Sequence, residues 1–96
     1  MGHTINYATL TGAAKREQAL TDIRNWSSSV NWDNVFRDIS AMPPTKESAK
    51  AIHWQFAMFV GIQGYPIVAM LGHCWNLSDD EVVEMLKREH REDYEI

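Results

Sequence analysis

From Ala51 to Ser78 the chain reads AIHWQFAMFVGIQGYPIVAMLGHCWNLS, without one formally charged side chain. Such a run leaves water, because apolar surface kept exposed costs roughly 25 cal/mol per Å2. It can enter a protein core, a partner's surface or a bilayer. Phe56–Trp75 spans 20 residues, long enough for a membrane, and Trp54 and Trp75 stand where interfacial belts would. However, Gln63, Gly64, Tyr65 and Pro66 fall at its centre and His73 lies near one end. Gly64-Tyr65-Pro66 reads as punctuation: glycine closes one helix and proline, which needs no amide bond in a first turn, opens the next. The run is therefore read as two short buried helices, with no membrane contact expected.

At 96 residues the chain makes one domain, residues 1–96, with 1–10 expected as a loose segment. A chain of this size buries about 60–65% of its unfolded surface. That suffices for one core and leaves little room for a deep substrate cavity. A hydrophobic content of 45% argues against wholesale disorder. The one cysteine, Cys74, permits no internal disulfide, and small secreted domains normally need such staples. The opening MGHTINYATLTG lacks the basic segment and apolar run of a signal peptide. A reducing, cytoplasmic setting is expected.

The periodicity predicts an all-α fold, a bundle of about five helices with helices three and four central. Thr11 is placed to cap helix one over Gly12–Ser27, where Ala19, Leu20, Ile23 and Trp26 recur at spacings of three and four. Helix two covers Trp32–Ala41, its core side made by Trp32, Val35, Phe36 and Ile39. Pro43-Pro44 end it, since proline lacks the amide donor and clashes with the preceding turn. Thr45 caps helix three, Lys46–Gln63, whose second half is apolar nearly all round and is expected to bury Phe56, Phe59 and Val60 in the main core. Helix four runs from Pro66 to Trp75. Ser78 and Glu81 form an S-x-x-E capping box at the start of helix five, Asp79–Asp93. Val82, Val83 and Leu86 line its buried side, and the pairs Glu84–Arg88 and Arg88–Glu92 its exposed side.

His53, His73, Cys74 and His90 are the soft-ligand candidates. They lack paired short spacing, and the adjacent His73 and Cys74 point to different sides of a helix. No metal, cofactor or catalytic residue is assigned, and Cys74 with His73 forms no dependable nucleophile–base pair. The protein is not expected to be an enzyme.

Charge and tryptophan are more informative. The net charge is −4; residues 79–96 hold eight acidic and three basic side chains, so −5 locally, against +1 over residues 1–78. No basic patch offers a grip on phosphates, so direct nucleic-acid contact is not expected. Tryptophan is enriched at interface hot spots, and there are four. Trp26 and Trp32 fit core stripes. Trp54 and Trp75 are assigned to a partner surface, with Tyr65 and Pro66 at the joint of the two buried helices and Asp79, Asp80 and Glu84 on the acidic helix. Pro66 is expected as a trans proline in a first turn. The sharper reading makes it a slow isomer switch that presents Trp75 and the acidic helix.

These features converge on a small acidic module that binds another protein with a basic surface. In its sharpest form this is a module that inhibits a larger, DNA-handling host enzyme, as accessory proteins of phages and mobile elements do. The alternative is self-association, a homodimer built on helices three and four.

Overall fold

The structure, a computed structural model, describes residues 10–62 and 64–86. Every element among them is helical: α1 (Gly12–Arg24), α2 (Trp32–Ser40), α3 (Lys46–Phe59), α4 (Tyr65–Trp75) and α5 (Asp79–Leu86). The expected all-α bundle is thus the fold. α3 and α4 lie at the middle of it: α4 packs against α1, α2 and α5, and α3 against α5. The uncharged run is divided between them, and among the described residues no helix is long and apolar enough to cross a membrane. Gln63, His90 and the expected continuation of helix five, with its Arg88 pairs, lie outside the described residues.

A helix surrounded by others must be apolar all round, and α4 is. Every position from Tyr65 to Gly72 is buried. Ile67, Val68, Met70 and Leu71 are fully enclosed, each contributing roughly 1.5–3 kcal/mol of transfer free energy. Pro66 occupies the first turn, where its missing amide costs no bond, and the Tyr65–Pro66 bond is trans. The far end closes at Asn76, left-handed at φ 58°, with the Leu77 amide donating to the Gly72 carbonyl at 2.9 Å. Around α4 the core is completed by Ala19, Leu20 and Ile23 of α1, Trp32, Phe36 and Ile39 of α2, Ala49 and Ile52 of α3, and Val82 and Leu86 of α5.

Local capping explains the helix starts. Thr45 Oγ1 accepts from the Ser48 amide at 3.1 Å, and Asn31, a cap the periodicity does not reveal, accepts from the Asn34 amide at 3.1 Å. The capping box is complete: the Glu81 amide donates to Ser78 Oγ at 3.2 Å, and the Ser78 amide donates to Glu81 Oε1 at 2.8 Å. Thr11 stands at the cap position of α1, but its side chain makes no capping bond.

Two helices end earlier than their periodicity suggests, and each early end moves an aromatic ring. α1 stops at Arg24, where the Asn25 and Trp26 amides turn back onto the Thr21 and Ile23 carbonyls. Trp26 consequently leaves the core stripe and is 45% exposed. α3 stops at Phe59 because Gly61 adopts φ 83°, a left-handed value that glycine takes without strain. The Phe56 carbonyl collects the Val60 and Gly61 amides at 3.0 and 2.8 Å, and the turn drives Ile62 to 0% exposure. The expectation of Phe56, Phe59 and Val60 in the main core is therefore corrected. Phe56 is half-buried against Trp32, ring centroids 6.0 Å apart, and Val60 is half-buried. Phe59, at 74% exposure, lies on the surface. It extends the stripe of Ile52, but past the point where another helix covers that stripe.

Candidate protein-interaction surface

The second half of α3 carries three of the four exposed large hydrophobic side chains among the described residues. Trp54 is 59% exposed, Met58 63% and Phe59 74%. Trp54 and Met58 are neighbours one turn apart, and the Trp54 and Phe59 rings meet edge to face, centroids 6.0 Å apart at 79°. Trp26 reaches the same end of the helix, its indole N–H donating to the Val60 carbonyl at 3.2 Å. Beside this cluster runs a groove of about 410 Å3 between α2 and α3, with Val35 and Met42 on one side and Ala51, Gln55 and Phe59 on the other. Soluble monomers rarely leave contiguous aromatic surface bare, and such patches mark contact sites.

The remaining residues singled out from the sequence fall into two settings. Tyr65 and Asp79 come together: the Tyr65 hydroxyl donates to Asp79 Oδ2 at 2.8 Å, and Arg16 donates to Asp79 Oδ1 at 2.7 Å. The same Arg16 nitrogen also donates to the Leu77 carbonyl at 2.9 Å. Lys15 Nζ stands 4.5 Å above the Tyr65 ring. Burial together with the neighbouring Asp79 carboxylate pushes the Tyr65 hydroxyl up to about 12; burial removes stabilisation of a phenolate and the carboxylate repels it. Tyr65 is 2% exposed and Pro66 is buried, so both shape the surface through what they hold in place. Trp75 is half-buried, its indole N–H donating to the Ile39 carbonyl at 2.9 Å, which pins α4 to α2.

Asp80 and Glu84 are exposed on α5. A shallow concavity of about 540 Å3 lies where α1 and α5 begin, lined by Gly12, Ala13, Arg16, Ser78, Asp79 and Asp80. Its central charges, Arg16 and Asp79, already satisfy each other, so a ligand there would have to displace an ion pair. The apolar groove carries no such cost.

Among the described residues no cluster of histidine, cysteine and carboxylate groups could hold a metal. His73 lies edge-on to Phe36, centroids 5.8 Å apart, and burial pushes the Cys74 thiol up, away from the thiolate a nucleophile needs.

Neither the groove nor the exposure of Phe59 follows from helical periodicity, although one sequence signal bears on them. Helix two is confined between the serine run and Pro43-Pro44. α2 has 9 residues and α3 has 14, so α3 is the longer by roughly 7 Å at 1.5 Å per residue. No family model matches the chain, and neither the curated proteins nor the solved structures contain a match to it.

Proposed function

We propose that the protein is an interaction module that docks onto a larger protein through the second half of α3. The observation carrying this reading is the bare Trp54–Met58–Phe59 cluster on a helix half without charge. Such aromatic anchors, once desolvated by a partner, supply most of an interface's binding energy. The acidic start of α5, with Asp80 and Glu84 exposed, favours a partner whose surface is basic, through faster and better oriented encounter. Enzymes that grip DNA carry surfaces of that sign, and inhibition by covering such a surface is the sharpest form of the proposal. The module itself performs no catalysis in this reading.

The test is capture from cells in which the chain is native, followed by mass spectrometry, using the full chain and the double variant Trp54→Ser/Phe59→Ser. Both positions are exposed, so the variant keeps its fold. A protein retained by the native chain and released by the variant supports the proposal. Identical retention by both removes α3 as the docking surface.

A second reading is favoured by one observation: an apolar patch without charge is complementary to itself across a two-fold axis. α4 is buried from Tyr65 to Gly72, so such a dimer would rest mainly on α3. Light scattering on the native chain and the same variant separates the two readings.

A further inference from the structure

We infer that the groove between α2 and α3 is a receptor for an amphipathic helix carrying lysine or arginine on its flank, with Asp38 as the residue that selects the basic partner. The inference rests on the interaction-module reading and names the chemistry of what is bound. Three observations carry it.

The first is shape. α2 is 9 residues long, so the groove offers about 14 Å of wall at 1.5 Å per residue, or between two and three turns of a helix laid along it. Its volume of about 410 Å3 accommodates two or three large aliphatic side chains. Partner helices present such anchors at spacings of three and four residues.

The second is lining. Val35, Met42 and Phe59 line the space, with the short, exposed Ala51 leaving the α3 side open and Gln55 supplying an amide. The unbranched methionine side chain adapts to varied apolar anchors.

The third is charge. Asp38 is the one formally charged residue in the lining. It is exposed, and its carboxylate makes no ion pair among the described residues. Of the other charges on α2, Asp33 pairs with Arg24 at 3.6 Å, and Arg37, which donates to the neutral Asn34 amide, keeps its charge outside the lining. A cation arriving at the groove rim therefore finds one uncommitted carboxylate beside an apolar trough. An acidic helix finds repulsion there.

The experiment uses the full chain, isotopically labelled for NMR, titrated with two synthetic helical peptides of about 15 residues, a length at which helices begin to hold. Both carry leucines at three- and four-residue spacing; one is flanked by lysines, its twin by glutamates. The expected result is that the lysine peptide binds about 1.5- to fivefold more tightly, the range for an exposed charge pair. Shifts should concentrate at Val35, Met42, Ala51 and Gln55. Asp38→Asn should bring the two affinities close together, whereas Glu17→Gln, on the exposed side of α1, should leave the preference intact. Ala51→Arg, a substitution at an exposed position, should block both peptides.

Equal affinities, a preference that survives Asp38→Asn, shifts centred on α5, or no binding would each overturn the assignment. So would a native dimer whose groove signals change on dilution, which gives the groove to a second copy. If the peptides fail while Trp54→Ser/Phe59→Ser still releases the native partner, the groove assignment falls and the interaction-module reading stands.

Discussion

The hydroxyl of Tyr65 donates to one oxygen of Asp79 at 2.8 Å while Arg16 holds the other at 2.7 Å. The three residues come from α4, α5 and α1, so a single carboxylate ties three helices together. Charge-assisted bonds are about twice as strong as neutral ones, and here they set where α5 leaves the core and thus where Asp80 and Glu84 are displayed.

This arrangement makes stability fall at alkaline pH. Tyr65 is raised from 10.0 to about 12 in the folded protein, so its contribution is fully present below pH 10 and is lost as pH rises toward about 12. Two pKa units correspond to about 2–3 kcal/mol. Tyr65→Phe should cost about 1 kcal/mol at pH 7 and should flatten the alkaline limb. Urea denaturation at intervals from pH 8 to 12 checks this. Parallel limbs for the native chain and Tyr65→Phe would show that the phenol does not govern it.

Gly72→Ala should destabilise, the reverse of the usual sign. In a helix interior alanine normally gains about 1 kcal/mol over glycine. At Gly72 a Cβ would lie 2.5 Å from the Arg16 guanidinium and 2.8 Å from the Leu77 carbonyl. The guanidinium can swing aside, at the expense of Asp79, but the carbonyl belongs to the turn that ends α4. A loss of about 1–3 kcal/mol is expected. A rise in the thermal midpoint would mean that neither contact constrains the helix.

Met70 and Phe59 should respond oppositely to truncation. Met70 is 0% exposed in the central helix and Phe59 is 74% exposed. Met70→Ala should cost about 2–5 kcal/mol, whereas Phe59→Ala should stay within about 0.5 kcal/mol of the native chain. Denaturant midpoints of the two variants decide. A large loss in Phe59→Ala would place that ring under cover in solution.

The contrast also marks what was legible from sequence. Helix faces were: Trp32, Phe36 and Ile39 share a stripe and are buried, and Ser78 with Glu81 announced the start of α5. The length over which a face is covered was not. Phe59 continues the periodicity of Ile52, but periodicity carries no information about where α2 stops alongside. Nor could spacing reveal the Tyr65–Asp79 bond, which joins residues 14 positions apart through the angle between two helices. Gly61 and Gly64 both have positive φ, but only Gly64 stands near a proline that marks a boundary in sequence, so periodicity alone carries α3 past its true end.

The capping box should give an acid-sensitive edge to α5. Ser78→Ala removes the acceptor for the Glu81 amide and should cost about 1 kcal/mol. The reciprocal bond from the Ser78 amide holds the Glu81 carboxyl below its ordinary 4.5. Its contribution is therefore present above pH 4.5 and is lost as pH falls through the lowered value. Glu81→Gln, which keeps an acceptor but cannot titrate, should show a shallower decline in helicity below pH 4.5 by circular dichroism. Superimposable acid limbs would remove Glu81 from the acid response.

The two halves of the proposed interface should separate kinetically. Asp80 and Glu84 lie exposed on α5, where solvent screens them, so their work is done at long range before contact. Reversing both to lysine should slow association from a basic partner, weaken its dependence on salt, and leave dissociation nearly unchanged. Trp54 and Phe59 act only once water has been driven from between the surfaces. Their serine variants should leave association nearly unchanged and speed dissociation by about tenfold or more, the equivalent of 1.4 kcal/mol and upward for a lost aromatic anchor. Surface plasmon resonance against the captured partner, at low and high salt, reads both constants. Should the charge reversals change dissociation alone, Asp80 and Glu84 would belong to the buried contact and α5, not α3, would be its centre.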